Sequence, residues 1–405
     1  MGPVAAGTIA AKSYLSLARV LADSFLERHP NVPFFVLLAD EVDGCFEPAA
    51  ERFRLLRLTD LGVPRLERFR FQHPQQPLSY AATPYLLSHL LDRGFTRAVF
   101  FKQESLVLGD QAPVFALLDR YSIVLTPHLL APLAGGERVT RELNILQSGV
   151  FNVGFLGVSN TATARRFLAW WQDRVYGHCR HAVAEGLHYE QRWIDLVPAF
   201  FEDVHVLRDP GFNVGHWNLP ERHVEIRDGA VLVDGQPCRL FRFSGFDPEE
   251  PQAATKHSRR LTMANLGPAA AVFARYLSLL AAAGYHETRS WPYAYGCFDN
   301  GVAVPDVARQ IYRELGEAVE AFGDPFRAAG SHSYFHWLNQ PVDDPPDPSR
   351  TVSRLWQAVY RQRPDVERAF PDLLGADRDG FLAWTASSGA REHGIPEPFW
   401  VHRAP

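Results

Sequence analysis

Apolar segments of strand length alternate with amphipathic segments along the first part of the chain. Residues 4–9 form a short apolar run, and apolar positions then recur at helical spacing over residues 12–28. Residues 34–38 are uninterruptedly apolar, which is typical of a buried parallel strand. A helix over about 79–91 leads into another buried strand at 98–101. This order predicts an α/β fold.

The middle of the chain continues this pattern and adds an antiparallel hairpin. Within residues 224–233, Asp228 and Gly229 lie between alternating apolar positions, and both residues tolerate the positive φ of a hairpin turn. Four more elements are predicted: strand and turn at 149–158, a helix at 161–176 capped by Asn160, a helix at 188–200, and a strand at 240–243.

Helical patterns dominate the last third of the chain, so we expect two domains. Residues 1–260 form the predicted α/β domain, and residues 261–405 form a mainly helical C-terminal region. Helices are expected at 306–321 and 351–361. The proline-rich residues 340–348 are predicted to form a loop, because each proline removes a backbone donor and restricts the residue before it.

The composition is that of a well-packed globular protein. Of the 405 residues, 46% are hydrophobic and 21% are charged, which excludes disorder as the main state. The net charge of -5 argues against nucleic acid as a partner, because such binding needs a cationic field. No apolar run reaches the ~20 residues that a membrane span requires. The first residues also lack the pattern of a secretory signal, so we expect a cytoplasmic protein with no membrane span.

A Lys-Gln-Glu triplet, residues 102–104, stands directly after the buried strand at 98–101. The carboxyl end of a strand in an α/β sheet faces a ligand crevice, so this triplet is a candidate for binding chemistry. Lysine is also rare in this chain, and a lysine that survives among so many arginines marks a place where a guanidinium is a poor substitute. The lysines are Lys12, Lys102 and Lys256.

The segment AVFFKQESLVLGD, residues 98–110, resembles the nucleotide-sugar-dependent glycosyltransferases of the GT-A fold, in which such a strand ends in a DxD motif. The resemblance is of the family 8 type, covers most of residues 1–260, and implies a Rossmann-like domain that binds a nucleotide-sugar donor. It further implies that residues 261–405 shape the side of a small-molecule, glycan or peptide acceptor. Five other segments carry the resemblance: TIAAKSYLSLARVLADS from Thr8, SGVFNVGFLGVSN from Ser148, HYEQRWIDLVPAFF from His188, RDPGFNVGHWNL from Arg208, and FRFSGFDP from Phe241, where the family usually has HFSG.

Two positions depart from the metal site of that family. The resemblance implies a manganese or magnesium ion that is held by the DxD carboxylates and the HFSG histidine and neutralises the leaving diphosphate. Here Lys102 and Glu104 take the two acidic positions, and Arg242 takes that of the histidine. One carboxylate between two permanent cations repels a hard cation, so we expect no catalytic metal and no other cofactor. Lys102, salt-bridged to Glu104, and Arg242 supply two positive charges instead.

The transfer step needs a group that stabilises positive charge at the anomeric carbon. Glu190 and Gln191 match the DQ pair of the family and are the candidates. The glutamine favours retention of configuration, although the stereochemistry stays open. The alternative for Glu190 is an exposed carboxylate in the first turn of a helix, where the helix dipole favours it.

Further residues are candidates for binding the donor. Asn152 and Asn213 each adjoin a glycine turn from which an amide can reach sugar hydroxyls, or they only tolerate the φ of that turn. Core packing is the alternative for Tyr14 and Trp217, and plain surface charge is the alternative for Lys256. The other candidates are Thr8, Ala10 and Tyr14 for the nucleotide, His216 and Trp217 for a sugar or acceptor platform, and Lys256 for the diphosphate.

These residues predict a metal-independent, hexosyltransferase-like glycosyltransferase. One alternative is a GT-A fold that has lost catalysis and acts as a nucleotide- or sugar-binding module, with Lys102 and Arg242 as substitutions in a dead site. Another is a different reaction on the same scaffold, such as donor hydrolysis or transfer of a modified sugar in secondary metabolism. The base, the sugar, the acceptor and the oligomeric state do not follow from the sequence.

Overall fold

The computed structural model describes residues 2–344, 347 and 350–400. Pro345, Pro346 and Pro348 of the predicted proline-rich loop lie outside these residues. No helix in the described part combines the length and the apolar composition that are needed to cross a bilayer. The α-helices are α1 Leu15–Arg28, α2 Leu66–Gln72, α3 Gln75–Ala81, α4 Thr83–Asp92, α5 Ala112–Leu117, α6 Arg138–Ser148, α7 Ala162–His178, α8 Val197–Phe200, α9 Ala269–Ala282, α10 Tyr285–Arg289, α11 Asp306–Glu314, α12 Tyr334–Asn339, α13 Arg354–Arg361, α14 Pro364–Ala369, α15 Arg378–Trp384 and α16 Ala390–Glu392.

The strands all lie in the first part of the described chain. They are β1 Val4–Ala10, β2 Phe34–Leu38, β3 Arg54–Arg57, β4 Arg97–Phe101, β5 Ser105–Val107, β6 Ile123–Pro127, β7 Phe151–Ser159, β8 His181–Ala182, β9 Leu187–His188, β10 Val204–Val206, β11 Val224–Arg227, β12 Ala230–Val233, β13 Gln236–Pro237 and β14 Leu240–Arg242. Seven of them form the central sheet in the order β10-β6-β7-β4-β1-β2-β3. Within that sheet β7 runs antiparallel to both neighbours and the other pairs are parallel, so the α/β class is confirmed.

Several local predictions are confirmed and two are wrong. The N-cap of α7 is Thr161, whose side chain accepts from the Ala164 N–H, and not Asn160. The strand at 34–38 is β2, and the hairpin joins β11 to β12 through Asp228 and Gly229, whose φ angles are 51° and 78°. The helix predicted over 188–200 does not form as one element. Tyr189 has a φ of 50°, which lies outside the right-handed helical region, and a 3-10 turn at Arg192–Leu196 precedes the short α8. Glu190 therefore does not lie in the first turn of a helix.

The first of two units comprises the described residues up to Val63 together with Gln76–Tyr293. The sequence places the boundary near residue 260, whereas this unit extends to Tyr293 because α9 packs into it. In α9 the ring of Tyr276 stacks on Phe243 with centroids 3.7 Å apart and an interplanar angle of 2°. Phe273, one turn earlier, meets Phe243 edge to face at 5.0 Å. These contacts fix the chain that follows β14.

The second unit comprises Pro64–Gln75 and the described residues from Ala294 onward. Its regular elements are helices, so the predicted helical C-terminal region is confirmed. Phe71, from the early segment, belongs to the aromatic core of this unit and lies 4.7 Å from Tyr312 between ring centroids. Arg309 is buried and donates to the Phe71 and Tyr295 carbonyls, which ties the early segment to α11.

Candidate functional site

Two strands bring the Lys-Gln-Glu triplet next to the FRFSG segment. β5 pairs antiparallel with β14, and in this register Arg242 lies opposite Ser105, the residue after Glu104. The backbone N–H of Lys102 donates to the Gly154 carbonyl at 3.0 Å, which joins the triplet to β7. Backbone hydrogen bonds alone thus bring Lys102, Glu104 and Arg242 close together, independently of their side-chain contacts.

Two buried ion pairs form from these residues. The Lys102 ammonium donates to Glu190 Oε1 at 3.0 Å, and Arg242 Nη2 donates to Glu104 Oε1 at 2.8 Å. The expected Lys102–Glu104 salt bridge is therefore replaced by a crossed arrangement, because the register of β14 brings the guanidinium to Glu104 and leaves the ammonium to Glu190. Two cations and two carboxylates give the cluster a formal charge of zero.

Glu190 is not the exposed carboxylate of the alternative interpretation. It is 1% exposed, and its Oε2 has no hydrogen-bond partner among the described residues. The indole N–H of Trp171 donates to the Glu190 carbonyl at 3.2 Å, which holds the backbone at this position. Glu190 therefore uses one carboxylate oxygen on Lys102 and has a second, buried oxygen without a hydrogen-bond partner among the described residues.

The guanidinium of Arg242 lies in a close-fitting site. Its Nη1 donates to Asn152 Oδ1 at 3.1 Å, and the guanidinium lies 5.8 Å from the centre of the Trp217 ring. A Cβ placed on Gly154 would lie 1.1 Å from Nη1, so an ordinary side chain at this position is incompatible with the guanidinium. Asn152 and Gly154 lie in strand β7 and not in the predicted glycine turn, and from there they hold and accommodate Arg242.

Neighbouring charges keep Lys102 and Glu104 ionised. Burial lowers the pKa of the Lys102 ammonium, but the neighbouring charges, first of all that of Glu190, outweigh it and the pKa lies above its usual value. Burial raises the pKa of Glu104, but the charges of Arg242 and Lys102 outweigh it and the pKa lies below its usual value. Both groups are therefore charged at neutral pH.

The histidines near the cluster add no charge to it. Burial lowers the pKa of His128 and of His188 to about 4, and that of His216 to about 3. His128 Nε2 lies 2.8 Å from Asn152 Nδ2, so the neutral imidazole can accept a hydrogen bond from the amide. The formal charge of the site is thus set by the four ion-pair residues.

Gln191 holds the backbone beside the cluster. Its Oε1 accepts from the Val153 N–H at 3.0 Å, and its Nε2 donates to the Ser148 carbonyl at 2.8 Å. The side chain therefore clamps both ends of the segment that carries Asn152. Both of its polar atoms are used in this way, whereas the adjacent Glu190 retains a free oxygen.

Buried polar atoms without a partner surround the ion pairs. Among the described residues, neither amide atom of Asn213 has a hydrogen-bond partner, and the same holds for Trp217 Nε1 and Arg242 Nε. Asn213 is 1% exposed and has a φ of 53°. An unpaired buried polar group costs roughly 1–3 kcal/mol, so such a concentration of free donors and acceptors suits a ligand rich in hydroxyl and phosphate oxygens.

Four other predicted contact residues have different surroundings. Thr8 and Ala10 are buried in β1, although Thr8 Oγ1 has no partner among the described residues. Tyr14 is half-buried against the core, with the Arg289 guanidinium 5.0 Å from its ring centre. His216 is half-buried, with its ring centroid 5.3 Å from that of His257.

The other lysines differ sharply from each other. Lys12 is fully buried and pairs with Asp40 at 3.6 Å and with Asp43. Lys256 is exposed. Two of the three lysines are thus held in buried ion pairs, which gives the scarcity of lysine a partly structural explanation.

Three residues at the site escape sequence analysis. The Tyr80 ring lies against the Lys102 ammonium, and His128 contacts Asn152. Asn218 donates to the Asn213 carbonyl at 3.2 Å and accepts from the Gly215 N–H at 3.0 Å. Only Asn218 has a local signal, because an asparagine shortly after a glycine turn often binds the turn backbone. Tyr80 and His128 belong to no motif.

The residues that the sequence resemblance matches to a metal site do not fit a divalent cation. Glu104 already accepts from Arg242, and the other acidic position carries the Lys102 ammonium. Hard cations require several oxygen ligands, and here two fixed positive charges would face the ion. Within the described ranges, no group of three or more His, Cys, Asp or Glu side chains is arranged to hold a metal.

Comparison with known proteins gives distant similarities. No family model matches the chain. The uncharacterized protein YfnF of Bacillus subtilis (strain 168) is 25% identical over 248 residues, which are 59% of this chain and 80% of that protein. The structure of the galactosyltransferase LgtC with donor and acceptor sugar analogs is 17% identical, with a TM-score of 0.43, and the match covers 69% of this chain and 95% of that one. The glycosyltransferase GlyE of Streptococcus pneumoniae TIGR4 is 13% identical, with a TM-score of 0.41 and coverages of 74% and 67%. Because these similarities are distant, the chemistry of this chain has to be argued from its own residues.

Proposed function

We propose that this protein is a glycosyltransferase that moves a sugar from a nucleotide-sugar donor to an acceptor hydroxyl and holds the donor diphosphate with Lys102 and Arg242 instead of a metal ion. The observation that supports the proposal is the two buried, crossed ion pairs, in which Lys102, Glu104 and Arg242 occupy the sequence positions that resemble the metal-binding motifs of that family. The mixed α/β sheet suits the GT-A-like domain that the sequence predicts.

The charge balance of the cluster supports a replacement of the metal. A divalent ion on two carboxylates has a formal charge of zero, and Lys102 and Arg242 with Glu104 and Glu190 also sum to zero. A cation about 4 Å from a phosphate oxygen contributes on the order of 4 kcal/mol at an effective dielectric near 20, before desolvation. Two such contacts would favour binding of a diphosphate and stabilise its charge as it leaves.

The Lys102–Glu190 pair is also oriented for the transfer step. As the bond from the anomeric carbon to the diphosphate oxygen breaks, negative charge grows on the leaving group and positive charge on the sugar. In this proposal Lys102 stabilises the first charge and the carboxylate of Glu190, whose Oε2 has no partner among the described residues, stabilises the second. The acceptor oxygen then bonds to the anomeric carbon, and the products are the glycoside, the nucleoside diphosphate and one proton. The Gln191 position favours retention of configuration.

Incubation with a panel of UDP-, GDP-, CDP-, ADP- and dTDP-sugars tests this function. We expect release of one nucleoside diphosphate and, with a matching acceptor, a product heavier by one sugar residue in mass spectrometry. Release of free sugar alone would indicate donor hydrolysis. Tight binding of a nucleotide without turnover on any acceptor would indicate the binding module, and absence of both binding and release would contradict the proposal.

A further inference from the structure

The Tyr80 ring lies against the Lys102 ammonium, a contact that no sequence motif predicts. Lys102 Nζ is 3.4 Å from the centre of the ring, and the same ammonium donates to Glu190 Oε1 at 3.0 Å. We infer that Tyr80 is a positioning residue that fixes the Lys102 ammonium toward the donor diphosphate without neutralising its charge. This inference rests on the proposed function and adds a residue to it.

The ring itself is held in place by its neighbours. The Tyr189 ring meets it nearly edge-on, with centroids 5.2 Å apart and an interplanar angle of 84°. Gln76 Nε2 donates to the Tyr80 hydroxyl at 2.7 Å. Tyr189 adopts a φ of 50°, a conformation that a bulky residue rarely takes and that persists only where the surroundings enforce it. The backbone is thus strained at Tyr189, which contacts Tyr80 and directly precedes Glu190.

An aromatic face suits this task better than a further carboxylate. Lysine has a flexible stem and three N–H donors, so a single partner such as Glu190 leaves its head free to rotate. The face of an aromatic ring attracts a cation through its quadrupole and carries no net charge. A second carboxylate on Lys102 would give the cluster a net negative charge and repel the diphosphate, whereas the ring orients the ammonium and leaves the formal charge at zero.

The ring remains un-ionised in this role. Burial raises the pKa of Tyr80 to about 12, so the phenol keeps its proton at any physiological pH. Its hydroxyl is engaged by Gln76, on the α3 helix that also carries Tyr80. Tyr80 is therefore not a general acid or base in this arrangement, and the part of it that acts on Lys102 is the ring, which phenylalanine also has.

The scarcity of lysine allows a direct spectroscopic test. With lysine labelled with carbon-13, the spectrum contains signals from Lys12, Lys102 and Lys256 only, and Lys102→Arg assigns the one of interest. We expect the Lys102 ε-methylene protons to be shifted upfield by the ring current of Tyr80. The shift should persist in Tyr80→Phe and disappear in Tyr80→Leu.

Binding of UDP, GDP, CDP, ADP and dTDP by the same variants tests the consequence. We expect Tyr80→Leu to weaken binding of the preferred nucleoside diphosphate about tenfold and Tyr80→Phe to bind as the wild type does. In a Lys102→Met background, Tyr80→Leu should cause no additional loss, because the ring then has no ammonium to position. The alkaline limit of binding should also move to lower pH in Tyr80→Leu, since the ring stabilises the charged form of Lys102.

The outcomes separate the positioning role from the function on which it rests. An unshifted Lys102 signal in the wild type, or a loss of binding in Tyr80→Leu that is equally large in the Lys102→Met background, would overturn the positioning role alone. If the wild-type protein binds none of the five nucleoside diphosphates, this result contradicts the proposed function and also the inference that rests on it.

Discussion

Replacement of Gly154 by alanine should abolish most of the donor binding, although the change adds only one methyl group. The added methyl would lie 1.1 Å from Arg242 Nη1 and 2.4 Å from Asn152 Oδ1. The guanidinium has little room to move, because it is 2% exposed and bound to Glu104 and Asn152. We expect nucleoside-diphosphate affinity to fall about 100-fold, which corresponds to the loss of one charged contact of roughly 3 kcal/mol.

Gly177→Ala is the matched control for this change. Gly177 lies within α7, and a Cβ at this position meets nothing within 4 Å. Alanine there should leave affinity unchanged and raise the free energy of unfolding by up to about 1 kcal/mol through helix propensity. Calorimetric titration and chemical unfolding of both variants separate loss of binding from loss of stability. Wild-type affinity in Gly154→Ala would show that Arg242 does not contact the diphosphate.

Removal of the Lys102 charge should have the second large effect. In Lys102→Met the carboxylate of Glu190, 1% exposed, loses its cation, and an uncompensated buried charge of this kind costs about 3–5 kcal/mol in unfolding free energy. Turnover should fall about 1,000-fold, because both the diphosphate contact and the orientation of Glu190 are lost. The double variant Lys102→Met with Glu190→Gln should regain most of the stability and none of the activity.

An exposed ion pair provides the comparison for stability. Arg52 and Asp23 are 3.1 Å apart with side chains about half exposed, so Arg52→Met should cost at most about 1 kcal/mol. Unfolding free energies from urea titration and initial rates of nucleoside-diphosphate release measure both effects. Recovery of activity in the double variant, or a stability loss in Lys102→Met as small as that in Arg52→Met, would contradict the assigned role of the pair.

Local patterns predicted the elements of this fold well. The strand at Phe34–Leu38 and the Asp228-Gly229 turn can be predicted without tertiary information. A continuous apolar run favours a buried strand, and aspartate and glycine tolerate the positive φ of a hairpin turn. The failure at residues 188–200 has the opposite cause. Tyr189 takes a positive φ and Glu190 is buried against Lys102, and these tertiary contacts override the local helical pattern.

The sequence predicted most residues of the ion-pair cluster, but it did not predict which of them pair with each other. Lys102, Glu104 and Arg242 follow from the motif positions, but the crossed pairing depends on the register of β14 with β5 and on where the backbone places Glu190. The face of the Tyr80 ring contacts Lys102, which is distant in the sequence, and nothing in the residues around Tyr80 distinguishes it from a core tyrosine.

The most direct measurement is the affinity for nucleoside diphosphates in EDTA compared with the affinity in manganese. If Lys102 and Arg242 bind the diphosphate, the dissociation constant of the preferred nucleotide is the same in both solutions. Binding that appears only when manganese is added would contradict the account, because it would show that these residues require the ion that they are proposed to replace.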